Sequence, residues 1–188
     1  RQQYRKINIE LWEKYEEGII TREEVLHGRF KKLFSLLEIK VNGEEIEKQF
    51  RENLGECSTM IKDASLVCEK LFKDYNLYII SNGVKRTQYK RLKDAGLDKY
   101  MQNIFISEEI GYQKPRIEFV EQVQKIEPNI NSSNTLIIGD SLTSDIKLGE
   151  NTGIDTCWFN PNKKENESII KPTYEIQELK ESLELNKT

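Results

Sequence analysis

The chain has 188 residues, of which 37% are hydrophobic and 32% charged, which is enough apolar content for a packed interior. Its 29 lysine and arginine residues against 32 acidic residues give a net charge of −3 at pH 7. The basic residues are scattered among acids, which argues against a nucleic-acid-binding surface, and no apolar run approaches the length of a membrane span. We expect one medium-sized domain, or a core with an inserted cap, that contacts neither nucleic acid nor membrane.

The first third of the chain has the three- and four-residue apolar spacing of amphipathic helices. This spacing predicts three helices, over residues 4–16, 21–36 and 43–54. Thr21 and Glu24 have the spacing of a capping box at the start of the second helix. We therefore expect residues 1–57 to form a helical unit that serves as a cap.

From about residue 58 the chain alternates between helices and short apolar strands. Strands are predicted around Tyr78, Ile104, Leu136 and Thr156, and helices up to Lys73, Asp94 and Ile126 and near Ile146. Such alternation indicates a parallel sheet with helices on both faces. We expect residues 58–188 to form an α/β, Rossmann-like core, with a charged loop at 163–168 and a last helix that ends near Leu185.

The strand near Leu136 ends in a glycine and two carboxylates. The apolar run stops at Gly139, and Asp140 and Asp145 follow it. Open α/β sheets bind ligands at the carboxyl ends of their strands, and carboxylate oxygen is the ligand that Mg²⁺ prefers. These residues alone leave two interpretations open, a Mg²⁺ site or a helix-capping aspartate followed by a solvated one.

Two further polar turns follow predicted strands. Ser81, Asn82 and Gly83 come directly before a helical pattern. A hydroxyl and backbone N–H groups at the start of a helix can bind a phosphate. The alternative interpretation is an ordinary helix cap. Lys114 precedes Pro115, which fits the first position of a helix and would hold the lysine at the helix entrance. Its ammonium can neutralise phosphate charge there, although a solvated surface lysine is the simpler interpretation.

The chain carries, in this order, the hydroxyl of Ser81, Lys114 and the acid pair Asp140 and Asp145, each at a predicted strand end. This order resembles the last three of the four signature motifs of the haloacid dehalogenase superfamily of phosphohydrolases. The resemblance implies that Ser81, with Asn82 and Gly83, binds phosphate, and that Lys114 stabilises its charge. It also implies that Asp140 and Asp145 bind Mg²⁺.

The sequence of the predicted helical cap narrows the resemblance to one branch of the superfamily. The chain is similar to pyrimidine 5′-nucleotidases of this superfamily at Asn8, Leu11, Trp12, Tyr15, Gly18, Ile20, Thr21, 26–30, 106–109, Gly111 and 157–160. Those enzymes are magnesium-dependent nucleoside monophosphatases. The resemblance spans nearly the whole chain and implies a small-molecule phosphate ester as substrate. His27, on an amphipathic helix, is expected to be a packing or surface residue rather than a catalytic one.

One departure from the superfamily pattern is serious. Its enzymes attack phosphate with an aspartate of an Asp-x-Asp motif at the end of their first strand, before the cap, and no two aspartates here are two residues apart. The missing strand would be central, between the strands that end at Ser81 and Asp140, and would leave a slot about twice the usual ~4.8 Å strand spacing. We therefore expect a fragment, inactive alone, whose parent polypeptide carries the nucleophile upstream.

The sequence leaves several functions open beside a pyrimidine 5′-nucleotidase. Within the superfamily these are a phosphoglycolate or sugar phosphatase and a dehalogenase; outside it, a receiver-like signalling module or a pseudoenzyme that binds nucleotides without cleaving them. Cys57, Cys68 and Cys157 lack disulfide or zinc spacing, so reduced thiols in a cytoplasmic setting are expected. We expect a monomer.

Overall fold

The computed structural model describes residues 1–57 and 59–185. The chain divides into two compact units, one comprising residues 1–57 and the other starting at residue 58. None of the helices in the described ranges is long and apolar enough to cross a membrane.

The first unit consists of three helices. These are α1 (Gln2–Glu16), α2 (Arg22–Leu36) and α3 (Gly43–Glu56). The capping box predicted for Thr21 and Glu24 is confirmed. Apolar side chains of α1 and α2 form the core of this unit, and a buried ion pair joins α2 to α3. In that pair the Arg29 guanidinium donates to both carboxylate oxygens of Glu47, each at 2.7 Å.

The second unit is built from parallel strands and helices, which confirms the predicted α/β fold class. Strands β1 (Leu77–Ser81) and β2 (Met101–Ile106) pair in parallel. Strands β3 (Leu136–Gly139), β4 (Asp155–Phe159) and β5 (Tyr174–Ile176) form a second parallel sheet in that order. The helices are α4 (Ala64–Leu71), α5 (Lys85–Asp94), α6 (Ser107–Ile110), α7 (Ile117–Ile126) and α8 (Lys147–Thr152).

One apolar core holds the two sheets together. It combines Phe105 of β2 and Ile137 of β3 with α7, whose Phe119 is fully buried, and with Leu148 of α8. Packing of α7 against both sheets places β1 and β3 on two walls of one cavity of about 440 Å³. Among the described residues, no strand pairs with the second edge of β1 or with that of β3.

The end of the chain differs from the sequence prediction. The final helix predicted to end near Leu185 is a short 3₁₀ helix, Leu179–Glu184, and it is preceded by a strand, Tyr174–Ile176, that was not predicted. The alternation of Tyr174, Glu175 and Ile176 suits a strand, with Ile176 buried, and hydrogen bonds to β4 replace the helical ones. The charged residues that follow had suggested a solvated helix face.

Candidate active site

The carboxyl ends of β1 and β3 lie at the same edge and are joined by Lys114. Its ammonium nitrogen is 2.6 Å from Oδ1 of Asp145 and donates to the backbone carbonyl of Ile80 at 3.1 Å. Lys114 and Asp145 are each only 7% exposed, so this is a buried ion pair. Ser81 and Asp140 line the same cavity as these two residues. The structure therefore brings together four residues from three segments that lie far apart in the sequence.

The position of Asp145 depends on the glycine that ends β3. A Cβ atom at Gly139 would overlap the Asp145 side chain, so only glycine allows the carboxylate to lie against the strand end. The backbone N–H of Ser141 donates to Asp145 Oδ2 at 3.1 Å, and the Ser141 hydroxyl accepts from the N–H of Ser144 at 3.1 Å. The Ser141 side chain thus caps the single helical turn Leu142–Ile146, and Asp145 in this turn lines the cavity.

Asp140 and Ser81 present more accessible polar groups. The Asp140 side chain is exposed, while its backbone carbonyl accepts a hydrogen bond from the indole N–H of Trp158 at 3.1 Å. The Ser81 hydroxyl oxygen accepts from the N–H of Gly83 at 3.0 Å. Because a hydroxyl carries both lone pairs and a proton, Ser81 can still donate to a ligand oxygen.

The donor set fits a hydrated magnesium ion. Mg²⁺ is usually held by one or two carboxylates, keeps several waters and takes further oxygens from a phosphate. Asp140 and Asp145 are two such carboxylates at one strand end. In the described ranges no group of three or more His, Cys, Asp or Glu side chains is placed to hold a metal ion.

Asn82 has a role that the sequence interpretation missed. Its side chain is buried; Oδ1 accepts from the backbone N–H of Lys114 and Nδ2 donates to the Lys114 carbonyl, both at 2.9 Å. The side chain of Asn82, a residue assigned to phosphate binding from the sequence, therefore holds the backbone of Lys114. No local signal could have revealed this contact, because the two residues are separated by 32 positions.

The start of α5 is already hydrogen-bonded in this structure. The N–H of Gly83 donates to Ser81, and the N–H of Lys85 donates to Glu108 Oε2 at 3.1 Å. The salt bridge from Glu109, at 2.7 Å, raises the pKa of the Lys85 ammonium. The Ser81 hydroxyl and the Lys114 ammonium, which line the cavity, are side-chain groups that can bind an anion.

The expected position of Pro115 was wrong. Helix α7 begins at Ile117 with Arg116 as its N-terminal flanking residue, so Pro115 lies before the helix. The N–H of Arg116 donates to the Gln113 carbonyl at 3.0 Å, which closes a turn around Lys114 and Pro115. Lys114 is thus positioned by this turn and by Asn82, and not by the entrance of a helix.

Cys157 and His27 also have side chains of a type that can act as a nucleophile or base. Burial, with a smaller contribution from the Glu181 charge, raises the pKa of the Cys157 thiol to about 11. Because the thiolate is the reactive species, Cys157 is inert near neutral pH. His27 is exposed on α2 in the first unit. Cys57, Cys68 and Cys157 form no disulfide.

Comparison with known proteins places the chain in a family. The haloacid dehalogenase-like hydrolase family matches residues 5–159. The crystal structure of YfnB from Bacillus subtilis, bound to magnesium, is 43% identical, covers 97% of this chain and 80% of that one, and superposes with a TM-score of 0.91.

Two curated relatives are named for an activity. Pyrimidine 5′-nucleotidase PynA of Streptococcus pneumoniae is 35% identical over 97% of this chain and 79% of its own length. Pyrimidine 5′-nucleotidase YjjG of Escherichia coli is 31% identical over 96% of this chain and 79% of its own. With the fold, the strand-end site and these matches together, the chain belongs to the haloacid dehalogenase-like hydrolase family.

Proposed function

We propose that this protein is a Mg²⁺-dependent phosphatase of nucleoside 5′-monophosphates, with pyrimidine nucleotides as its substrates. The observation that carries the proposal is the convergence of Ser81, Lys114, Asp140 and Asp145 on one cavity at the carboxyl ends of β1 and β3. The pyrimidine preference rests on the similarity to PynA and YjjG. We further propose that residues 1–57 act as the cap of this enzyme.

Ser81 and Lys114 would bind and orient the phosphate. An ammonium has three donor hydrogens, and Lys114 directs two of them to Asp145 and the Ile80 carbonyl. The third can reach a phosphate oxygen, while the Ser81 hydroxyl donates to another. A buried cation held rigidly by Asn82 stabilises charge on the transferring phosphoryl group without having to reorganise.

Asp140 and Asp145 would hold Mg²⁺. The YfnB structure contains magnesium, and its similarity to this chain supports the same ion here. When bound, Mg²⁺ neutralises phosphate charge and orients the phosphoryl group for in-line attack. Asp145 would contribute from a buried position fixed by Ser141 and Lys114, and Asp140 from an exposed one open to the substrate side.

The nucleophile would be an aspartate outside these 188 residues. Asp145 is engaged with Lys114, and the two site aspartates are required for the metal. We propose that an aspartate next to the Ser81 hydroxyl attacks phosphorus and forms an aspartyl-phosphate, while the ester P–O bond breaks and the nucleoside leaves as its 5′-alcohol with a proton from solvent. Water then hydrolyses the aspartyl-phosphate, which releases inorganic phosphate and restores the carboxylate. The 188-residue chain alone is accordingly expected to release no phosphate.

Phosphate release from the polypeptide that includes the nucleophile tests this function. UMP, dUMP and dTMP should be hydrolysed with Mg²⁺ and not with EDTA, and faster than AMP, phosphoglycolate or a sugar phosphate. Asp140→Asn should lower kcat by about 10²–10³-fold, while Asp98→Asn, at an exposed aspartate outside the site, should leave it unchanged. Binding of UMP without any phosphate release would contradict the proposal and indicate a pseudoenzyme.

A further inference from the structure

We propose that Trp158 is a positioning residue of the metal site, which holds the backbone that carries Asp140 and Asp145 in the conformation that binds Mg²⁺. The inference rests on the proposed function, because that function assigns the ion to these two aspartates. Trp158 lies on β4 and is not among the residues that line the cavity, so it acts through the aspartates and does not touch the substrate. Mg²⁺ affinity is therefore the property that Trp158 controls.

The indole of Trp158 is hydrogen-bonded to the first of the two aspartates. Its N–H donates to the backbone carbonyl of Asp140 at 3.1 Å. The Asp140 side chain is exposed, so the position of its carboxylate depends on the backbone from which it extends. A buried tryptophan N–H usually finds a hydrogen-bond partner, and any interior carbonyl could serve. Here the partner is the carbonyl of a proposed metal ligand.

The ring of Trp158 packs with the helical turn that carries the second aspartate. Ile146, Trp158 and Ile170 form one buried apolar cluster, and Leu142 packs against it. Leu142 and Ile146 are the first and last residues of the turn, and Asp145 directly precedes Ile146. The cluster thus supports both ends of this turn, while the indole N–H holds the backbone just before it.

Strand β4 is a firm support for this side chain. It is the central strand of its sheet, with β3 on one side and β5 on the other. Trp158 is only 3% exposed, and it pairs with Gly139 of β3 and Glu175 of β5. Gly139 is the residue against which the Asp145 carboxylate packs. Trp158 therefore ties the strand end that carries both aspartates to a neighbouring strand that is itself paired on both sides.

The expected effect on metal binding follows from the demands of the ion. Mg²⁺ requires near-ideal octahedral geometry, so small displacements of its carboxylates weaken binding. Replacing a residue that orients metal ligands typically lowers metal affinity or activity by about 10–100-fold. Asp145 keeps its contacts with Ser141 and Lys114 when the indole is removed, which favours the lower end of that range.

Mg²⁺ titration of Trp158→Phe tests the inference in the polypeptide that includes the nucleophile. Phenylalanine keeps an aromatic ring in the apolar cluster and removes the indole N–H. Isothermal titration without substrate should show that Mg²⁺ binds about tenfold more weakly. The kcat for UMP should fall at limiting Mg²⁺ and recover at saturating Mg²⁺, with the KM for UMP unchanged. A general structural defect would instead lower kcat at every Mg²⁺ concentration.

Two matched variants separate the indole hydrogen bond from other effects. Trp12→Phe makes the same change in the first unit, where Trp12 packs against Tyr15, and should leave Mg²⁺ affinity unchanged. Ile170→Val removes a methyl group from the cluster around the indole but keeps the hydrogen bond to Asp140, and should also leave it unchanged. If Trp158→Phe does not fold, the indole ¹⁵N–¹H NMR signal of Trp158 in the unaltered protein replaces it, and Mg²⁺ should shift this signal.

Any of four results would overturn the inference and leave the proposed function intact. They are an unchanged Mg²⁺ affinity in folded Trp158→Phe, an equal loss of affinity in Ile170→Val, a kcat that stays low at saturating Mg²⁺, and an indole signal that Mg²⁺ does not shift. Absence of Mg²⁺ binding in the unaltered protein would be a different result, because it would overturn both this inference and the metal dependence of the proposed function.

Discussion

Replacing Asp145 by asparagine should destabilise the second unit far more than the same change at Asp140. Asp145 is buried and its carboxylate is 2.6 Å from the buried Lys114 ammonium, so Asp145→Asn leaves a cation without its counter-charge. Removing one partner of a buried ion pair costs about 3–5 kcal/mol. Asparagine keeps an oxygen that can accept from Ser141, which favours the lower end of that range, about 3 kcal/mol.

Urea unfolding of the 188-residue chain, followed by far-UV circular dichroism in EDTA, measures this difference. The exposed Asp140→Asn should change the free energy of unfolding by no more than about 0.5 kcal/mol. Lys114→Met combined with Asp145→Asn should cost less than the sum of the two single changes, by about 2 kcal/mol. Equal destabilisation by Asp140→Asn and Asp145→Asn, or strictly additive costs in the double variant, would refute a buried pairing of Lys114 with Asp145.

Three further outcomes follow from other contacts. Gly139→Ala should impair Mg²⁺ binding in isothermal titration, because its Cβ would displace the Asp145 carboxylate; unchanged affinity would contradict the close approach. In native protein at pH 8, iodoacetamide should label the exposed Cys57. Cys157, whose thiol pKa is raised to about 11, should react only after unfolding, and peptide mass spectrometry would distinguish the two sites. Glu47→Gln should cost about 3–5 kcal/mol of unfolding free energy, because it leaves a buried guanidinium facing a neutral amide; a cost below about 1 kcal/mol would contradict that pairing.

The alternation of helix and strand could be predicted because each element has its own local signal. Period-3.6 spacing marks α1–α3, and short apolar runs followed by glycine or serine mark β1 and β3. The strand β5 was missed because it has only three residues, and pairing with β4 stabilises it more than any local pattern. Pairing with β4 therefore determines the secondary structure of Tyr174–Ile176 more than the local sequence does.

The site residues could be proposed from sequence, but their mutual contacts could not. Ser81 ends β1, and Lys114, Asp140 and Asp145 come after β2 or β3 in the chain, while the carboxyl ends of parallel strands meet at one edge. Lys114 forms an ion pair with Asp145, and its backbone is hydrogen-bonded by the Asn82 side chain. Both contacts join residues more than 30 positions apart, so a local sequence pattern cannot reveal them. The sequence indicated that a strand ends at Gly139, but it did not indicate that the Asp145 side chain packs against this glycine.

Metal binding is the sharpest test of the strand-end site, because it does not require the nucleophile. Mn²⁺ prefers the same hard oxygen ligands as Mg²⁺ and broadens NMR signals of nearby nuclei. In the assigned ¹⁵N spectrum of the 188-residue chain, substoichiometric Mn²⁺ should broaden the amide signals of Ser81, Asp140 and Asp145, and excess Mg²⁺ should restore them. Broadening confined to other residues, with these three signals unchanged, would contradict the assignment of a metal and phosphate site to this edge of the sheets.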